Sequence, residues 1–151
     1  MKKLIVLVCC AALIWSCQHH EKGHSTHEED GATTHQHDTT NTEVIQLNQG
    51  ARWLVNAEMK PFVVAGSRLL DDFIAQNGTD YKALAKNLGV ENDKLIKSCT
   101  MTGKSHDELH KWLHPHLELV KQLAEAKDEA AAHVLVDKLK KSYLLYSEFF
   151  E

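Results

Sequence analysis

One stretch of the chain, CTMTGKSHDELHKWLHPH at positions 99–116, concentrates side chains that bind metal ions. It holds one cysteine, one methionine and four histidines within 18 positions. Thiolate, thioether and imidazole groups form a soft ligand set that suits Cu(I), whereas magnesium and calcium prefer carboxylate and carbonyl oxygens. The composition of this stretch therefore indicates binding of copper or of another soft or borderline metal ion.

The spacing of these residues predicts how they meet. Gly103 is expected to separate two helices, so that Cys99 and Met101 end one helix while His106 and His110 begin the next. Histidines four positions apart share a helix face, which is the spacing by which H-E-x-x-H sequences present two imidazoles to zinc. An αα-hairpin would bring both pairs to one corner, and we expect these four residues to form a metal site there.

Three further residues are candidates for the same site. Met59 would lie at this end of an up-down bundle, and His116 could join if Pro115 redirects the chain. His114 falls on the outer face of its helix, which is more typical of a surface residue. Zinc(II) is the main competitor of Cu(I) and Cu(II), since it accepts cysteine and histidine in tetrahedral geometry.

Ordinary structural roles remain open for all of these residues. Cys99 on an apolar stripe is also typical of a buried thiol, and Met101 of core packing. A single histidine is more often hydrogen-bonded or solvated than a metal ligand. The case for a site rests on the joint occurrence of these residue types.

The elements that must position these residues are helices. Apolar residues recur at helical spacing from position 56 onward, which predicts four amphipathic helices. The expected helices run from Asn56 to Asn77–Gly78, from Thr79 or Asp80 through Gly89 to Gly103, from Ser105, and from about Asp128. Helices of this length joined by short turns predict an all-α, antiparallel up-down four-helix bundle.

Two details of the third helix can be predicted. Ser105 and Glu108 have the S-x-x-E spacing of a capping box. Pro115 lacks the backbone N–H that the preceding turn would use, so the helix should bend or restart near His114.

The residues expected inward are Leu109, Leu113, Leu117, Val120 and Ala124 on the third helix, and Leu135, Leu139, Tyr143, Tyr146 and Phe150 on the fourth.

The N-terminus, MKKLIVLVCCAALIWSC, is typical of an export signal. Two lysines precede an apolar stretch that is shorter than the roughly 20 residues of a membrane span. Ser16 before Cys17, with Ile14 three positions earlier, resembles a bacterial lipobox, from which Trp15 departs. We expect residues 1–16 to be a signal peptide and Cys17 to carry the lipid that anchors the protein to a membrane of the cell envelope, facing the periplasm or the cell surface.

The segment 17–42 is expected to be the lipidated cysteine followed by a disordered histidine-rich linker, because it contains no large apolar side chain. Its imidazoles could gather Cu(II), Ni(II) or Zn(II) weakly, or the segment could be a solvated spacer. Its histidines are His19, His20, His24, His27, His35 and His37. Residues 43–55 are expected to form a short extended or hairpin lead-in to the bundle domain, 56–151.

Charge and cysteine content narrow the function. After loss of the signal and lipidation of Cys17, Cys99 is the one remaining thiol, so an internal disulfide is excluded. Removal of Lys2 and Lys3 takes the formal net charge from -4 to -6. This charge argues against a nucleic-acid partner and is compatible with cation binding.

The loose lipobox at Cys17, the histidine-rich spacer and the run C-T-M-x-G-K-S-H-x-E-L-H-x-W-L-x-P from Cys99 to Pro115 resemble features of short His-rich lipoproteins of Bacteroidota. The resemblance spans most of the chain. It implies periplasmic or surface metal binding, linked to copper or heavy-metal handling. It supplies no reaction, so the site assignment rests on residue chemistry.

Three functions compete. The first is binding of copper or a similar ion in the cell envelope for buffering or delivery, with an envelope metal-transport protein as partner. The second is a structural or partner-binding lipoprotein whose histidines are incidental. The third is a bundle that carries b-type haem, with Met59 and a histidine as axial ligands. An enzyme is not expected, because the chain lacks H-E-x-x-H, G-x-S-x-G and P-loop motifs.

Overall fold

A computed structural model describes residues 44–151. The predicted signal peptide, Cys17 and the six histidines of the N-terminal segment lie outside the described residues. Within residues 44–151, no helix is long and apolar enough to cross a membrane.

The described chain is an all-α four-helix bundle, as predicted. The helices are α1 (Lys60–Ala75), α2 (Tyr81–Ser98), α3 (Gly103–Ala124) and α4 (Glu129–Phe149). Turns of four or five residues join them, so consecutive helices are antiparallel neighbours. α1 also packs against α4, which closes the ring of helices around one core.

The start of α1 differs from the prediction. Asn56 does not cap this helix, which begins at Lys60 with a proline in its first turn. The Asn56 side chain instead donates to the Ser98 carbonyl at 2.9 Å and accepts from the Thr100 backbone N–H at 3.2 Å. The predicted cap is therefore a clamp that ties the segment before α1 to the turn between α2 and α3.

The prediction for α2 is confirmed at its N-terminus and wrong at its C-terminus. Asp80 caps its N-terminus, since the carboxylate accepts from the Ala83 N–H at 3.0 Å. The helix passes through Gly89 and ends at Ser98, earlier than the predicted Gly103. Residues 99–102 form the connection to α3, so Cys99 and Met101 lie in that connection rather than in a helical turn.

The predicted capping box at the start of α3 is wrong. The helix begins at Gly103, and its N-cap Thr102 makes no side-chain capping hydrogen bond. The Ser105 hydroxyl donates to the Thr102 carbonyl at 3.4 Å, and Glu108 is engaged elsewhere. α3 also continues through the exposed Pro115 as one helix, so the predicted restart does not occur.

The core follows the helical period. The residues predicted inward on the fourth helix are all buried, although Phe150 is the C-cap that follows α4. On α3 the prediction holds for Leu109, Leu113 and Val120. Leu117 is only partly buried and Ala124 is exposed. Trp112 and His116, which were not among the predicted inward residues, are buried in the core. Both lie on the flank of α3 that faces α4.

The lead-in is extended, with one tight turn, and it pairs with the C-terminus. Backbone hydrogen bonds join Asn48 and Ala51 across the turn. Trp53 N–H donates to the Phe149 carbonyl at 2.8 Å, and Glu151 N–H donates to the Trp53 carbonyl at 2.9 Å. This pairing fixes both ends of the described chain against one end of the bundle.

Candidate metal site

Three histidines of α3 form a line of imidazole rings on one flank of the helix, here called the histidine ladder: His106, His110 and His114. Nε2 of His106 lies 3.0 Å from Nε2 of His110. Nδ1 of His110 lies 2.9 Å from Nε2 of His114. The repeated spacing of four residues places the three rings in a row along the helix, one turn apart and each edge-to-face with the next. His110 thus meets a neighbouring imidazole at each of its two ring nitrogens.

The surroundings of His110 favour the neutral form of its ring. Each contact between rings requires one N–H and one lone pair, and three neutral rings satisfy both contacts when all N–H groups point the same way along the chain. Partial burial lowers the pKa of His110, and the nearby charges of His106 and His114 lower it further. Lone pairs of neutral imidazoles are the form that binds metal ions.

The nitrogen separations fit shared coordination of a metal ion. With metal–nitrogen bonds of about 2.0 Å, neighbouring ligands of a square-planar ion lie about 2.9 Å apart, and those of a tetrahedral ion about 3.3 Å apart. The observed distances of 3.0 Å and 2.9 Å are those of N–H···N hydrogen bonds between the rings, and they lie close to both values. Rotation of the rings, which would replace these hydrogen bonds, lets His106 and His110 share a metal ion such as Cu(II).

The sulfur atoms predicted to join this site are placed differently. Cys99 is the C-cap of α2, and both Cys99 and Met101 are partly buried against the hydrophobic core. Among residues 44–151, no group of three or more histidine, cysteine, aspartate or glutamate side chains is arranged to hold one metal ion. The structure therefore brings together His106 and His110 of the predicted set, without Cys99 as a third ligand.

Two of the additional candidates lie in the core. Met59 and His116 each have 0% of their surface exposed. His116 stacks on Trp112 with ring centroids 4.8 Å apart, and its Nδ1 lies 3.0 Å from the Ser142 hydroxyl oxygen. Burial lowers the pKa of His116 to about 4, so this imidazole is neutral at ordinary pH. Pro115 does not redirect it toward the ladder.

His114 is exposed on the outer face of α3, as the sequence predicts. The structure nevertheless joins its ring to His110, with ring centroids 4.6 Å apart. The regular spacing of positions 106, 110 and 114 was the signal that could have identified it.

The start of α3 is held by a buried carboxylate on the side of the helix away from the ladder. Glu108 is only 3% exposed, accepts from the Gln46 backbone N–H at 2.7 Å and pairs with Lys111 at 2.9 Å. Trp53 Nε1 donates to the Gln46 carbonyl at 2.6 Å. These contacts tie the lead-in to the first turns of α3 and so restrict the movement of the backbone that carries the ladder.

Comparison of the chain with protein-family models, with curated proteins and with solved structures finds no match.

Proposed function

We propose that this protein is a cell-envelope lipoprotein that binds copper, or another soft or borderline metal ion, for buffering or delivery. The observation that carries the proposal is the Nε2-to-Nε2 distance of 3.0 Å between His106 and His110. Two imidazoles held at this separation on a rigid helix form a chelate with little loss of side-chain entropy on binding.

Copper is the preferred ion because of its affinity for nitrogen ligands. Imidazole suits copper, zinc, iron and nickel, and among divalent ions the affinity of a nitrogen site reaches its maximum at Cu²⁺. The proposal assigns the first two ligands to imidazole and leaves the remaining positions to water or to a ligand from a delivery partner.

The N-terminal sequence supplies the rest of the proposal. Lipid on Cys17 would hold the protein at a membrane, and six histidines between positions 19 and 37 would raise the metal concentration near that membrane. Weak binding by that segment and chelation by α3 would then act in series. Weak binding near the membrane followed by tighter binding at α3 suits buffering or delivery of the ion. We infer an envelope metal-transport protein as the recipient.

Metal analysis of the untagged protein purified from an envelope fraction tests the binding function. We expect copper to copurify with the natural chain and to fall at least severalfold in the double variant His106→Ala/His110→Ala. His133→Ala is the matched control, since it removes an exposed histidine from α4 instead. Equal copper content in all three proteins would refute the role of the ladder.

The anchoring function has a separate test. Cys17→Ser removes the thiol that would carry lipid, so we expect the protein to move from the membrane fraction to the soluble fraction of the envelope. Metabolic labelling with a fatty acid should mark the natural chain and leave the variant unlabelled. Membrane association that survives the substitution would contradict lipidation at Cys17.

A further inference from the structure

The two nitrogens of His110 are both directed at imidazole neighbours. Its Nε2 lies 3.0 Å from Nε2 of His106, and its Nδ1 lies 2.9 Å from Nε2 of His114. The three rings do not converge on one point, which agrees with the finding that no three ligands among residues 44–151 surround a single ion site. They form two separate nitrogen pairs that share one ring.

We propose that the histidine ladder binds two Cu(II) ions, with the ring of His110 as an imidazolate bridge between them. One ion is held by Nε2 of His106 and Nε2 of His110. The other is held by Nδ1 of His110 and Nε2 of His114. This inference rests on the proposed function and adds to it the number of ions, the bridging role of His110 and a ligand role for His114.

The proton balance of this site is simple. Neutral His110 carries one ring proton, and the first ion binds at the nitrogen that presents its lone pair. The second ion replaces the remaining ring proton, which is released to solvent, and the copper ions keep their oxidation state. Each ion lowers the cost of this deprotonation for the ring, because a bound cation stabilises the anionic form.

The geometry favours two ions over one for a physical reason. A single ion between His106 and His110 uses only one nitrogen of His110 and leaves the other for a second ion. The hydrogen-bonded nitrogen pairs are 3.0 Å and 2.9 Å apart, close enough for each pair to take one ion once the rings rotate. The backbone of α3 continues without a break past all three residues, so one rigid helix sets both separations.

Electron paramagnetic resonance with spin counting tests the bridge. The protein used is the full chain with its six N-terminal histidines replaced by alanine, titrated with Cu(II) salt. We expect two ions to bind tightly. The first should give one spin per copper, and the second should make the integrated signal fall well below the copper content, because imidazolate couples the two spins antiparallel.

Single substitutions in the same background identify the ligands. His114→Ala and His106→Ala should each bind one ion and keep the full signal, whereas His110→Ala should lose tight binding of both. His133→Ala should behave like the parent protein. Circular dichroism of each variant checks that the bundle is intact.

Three results would overturn the bridge. They are binding of a single ion that requires His106 and His110, binding of two ions with a full spin count, and a signal loss that persists in His114→Ala. The first of these would leave the proposed function standing. Absence of any copper binding by the parent protein would overturn both proposals.

Discussion

The Glu108 carboxylate accepts a hydrogen bond from the backbone N–H of Gln46, 62 positions earlier in the chain, at 2.7 Å. Burial alone would raise the pKa of this carboxyl, but the bond from Gln46 and the ammonium of Lys111 outweigh it and hold the pKa below its usual value. One buried side chain on α3 therefore joins the helix that carries the histidine ladder to the segment that leads into the bundle.

Loss of this carboxylate should destabilise the protein. Glu108→Ala leaves the Gln46 N–H and the Lys111 ammonium without their acceptor, and we expect a loss of about 1.5 to 3 kcal/mol in the free energy of unfolding. Chemical denaturation measures this loss. Glu118→Ala, an exposed position on the same helix, is the control and should change stability by less than about 0.5 kcal/mol. Equal effects of the two substitutions would contradict the account of Glu108.

His116 should make stability depend on pH. Its pKa is about 4 in the folded protein and about 6.5 in the unfolded chain, so between these values only the unfolded chain binds the proton. The stability that depends on neutral His116 is therefore fully present above pH 6.5. As the pH decreases toward 4, the free energy of unfolding falls by up to about 3 kcal/mol.

His116→Phe provides the comparison, because it keeps a ring against Trp112 and removes the titrating group. Unfolding curves at several pH values should show the stability of the natural chain, measured relative to this variant, falling by up to about 3 kcal/mol from neutral pH toward pH 4. The contribution of Glu108 is common to both proteins and cancels. A constant difference across this range would show that His116 does not titrate as described.

Gly66 should tolerate no side chain while Tyr143 is present. A Cβ atom built at Gly66 would collide with the Tyr143 hydroxyl oxygen, which packs against this turn of α1. We expect Gly66→Ala to destabilise the protein by about 1 to 3 kcal/mol despite the better helix propensity of alanine. Thermal unfolding of Gly66→Ala, of Tyr143→Phe and of the double variant forms a double-mutant cycle.

The outcome of that cycle is specific. Removal of the Tyr143 hydroxyl should relieve most of the cost of Gly66→Ala, so the double variant should be more stable than the sum of the single effects predicts. Strictly additive effects would mean that the two residues do not meet in this way.

Asn56 should control the connection between α2 and α3. Asn56→Ala removes the acceptor of the Thr100 N–H and the donor to the Ser98 carbonyl, which flank Cys99. We expect faster hydrogen exchange at the Thr100 amide and faster labelling of the Cys99 thiol. Gln76→Ala, at an exposed position with negative φ in the turn after α1, is a control that should leave both rates unchanged. Unchanged rates in Asn56→Ala would show that the clamp has no such effect.

The sequence predicted the features that depend on local pattern. Helical periodicity gave the number of helices and the inward face of α4, and the caps Asp80 and Asp128 follow from side chains that bond to backbone three positions away. The capping box failed because Glu108 bonds to Gln46, a contact between distant parts of the chain. No local pattern contains that information.

Only part of the candidate site could be predicted, because local spacing can be read from the sequence and contacts between distant residues cannot. The spacing of His106 and His110 along one helix was sufficient to predict that their rings meet. The position of Cys99 relative to those rings depended on where α2 ended, and the helix stops before Cys99. The core position of His116 could not be predicted from spacing alone. A small rotation of α3 about its axis decides which of its residues face α4, and intervals of three or four residues do not fix that rotation.

Equilibrium copper titration tests the central claim most directly. The protein is the full chain with its six N-terminal histidines replaced by alanine, and a competing chelator of known affinity reports the free metal. The account predicts submicromolar binding of Cu(II) that weakens by at least tenfold in His110→Ala and in the double variant His106→Ala/His114→Ala, and not in His133→Ala. Binding weaker than micromolar, or binding unaffected by the loss of His110, would contradict it.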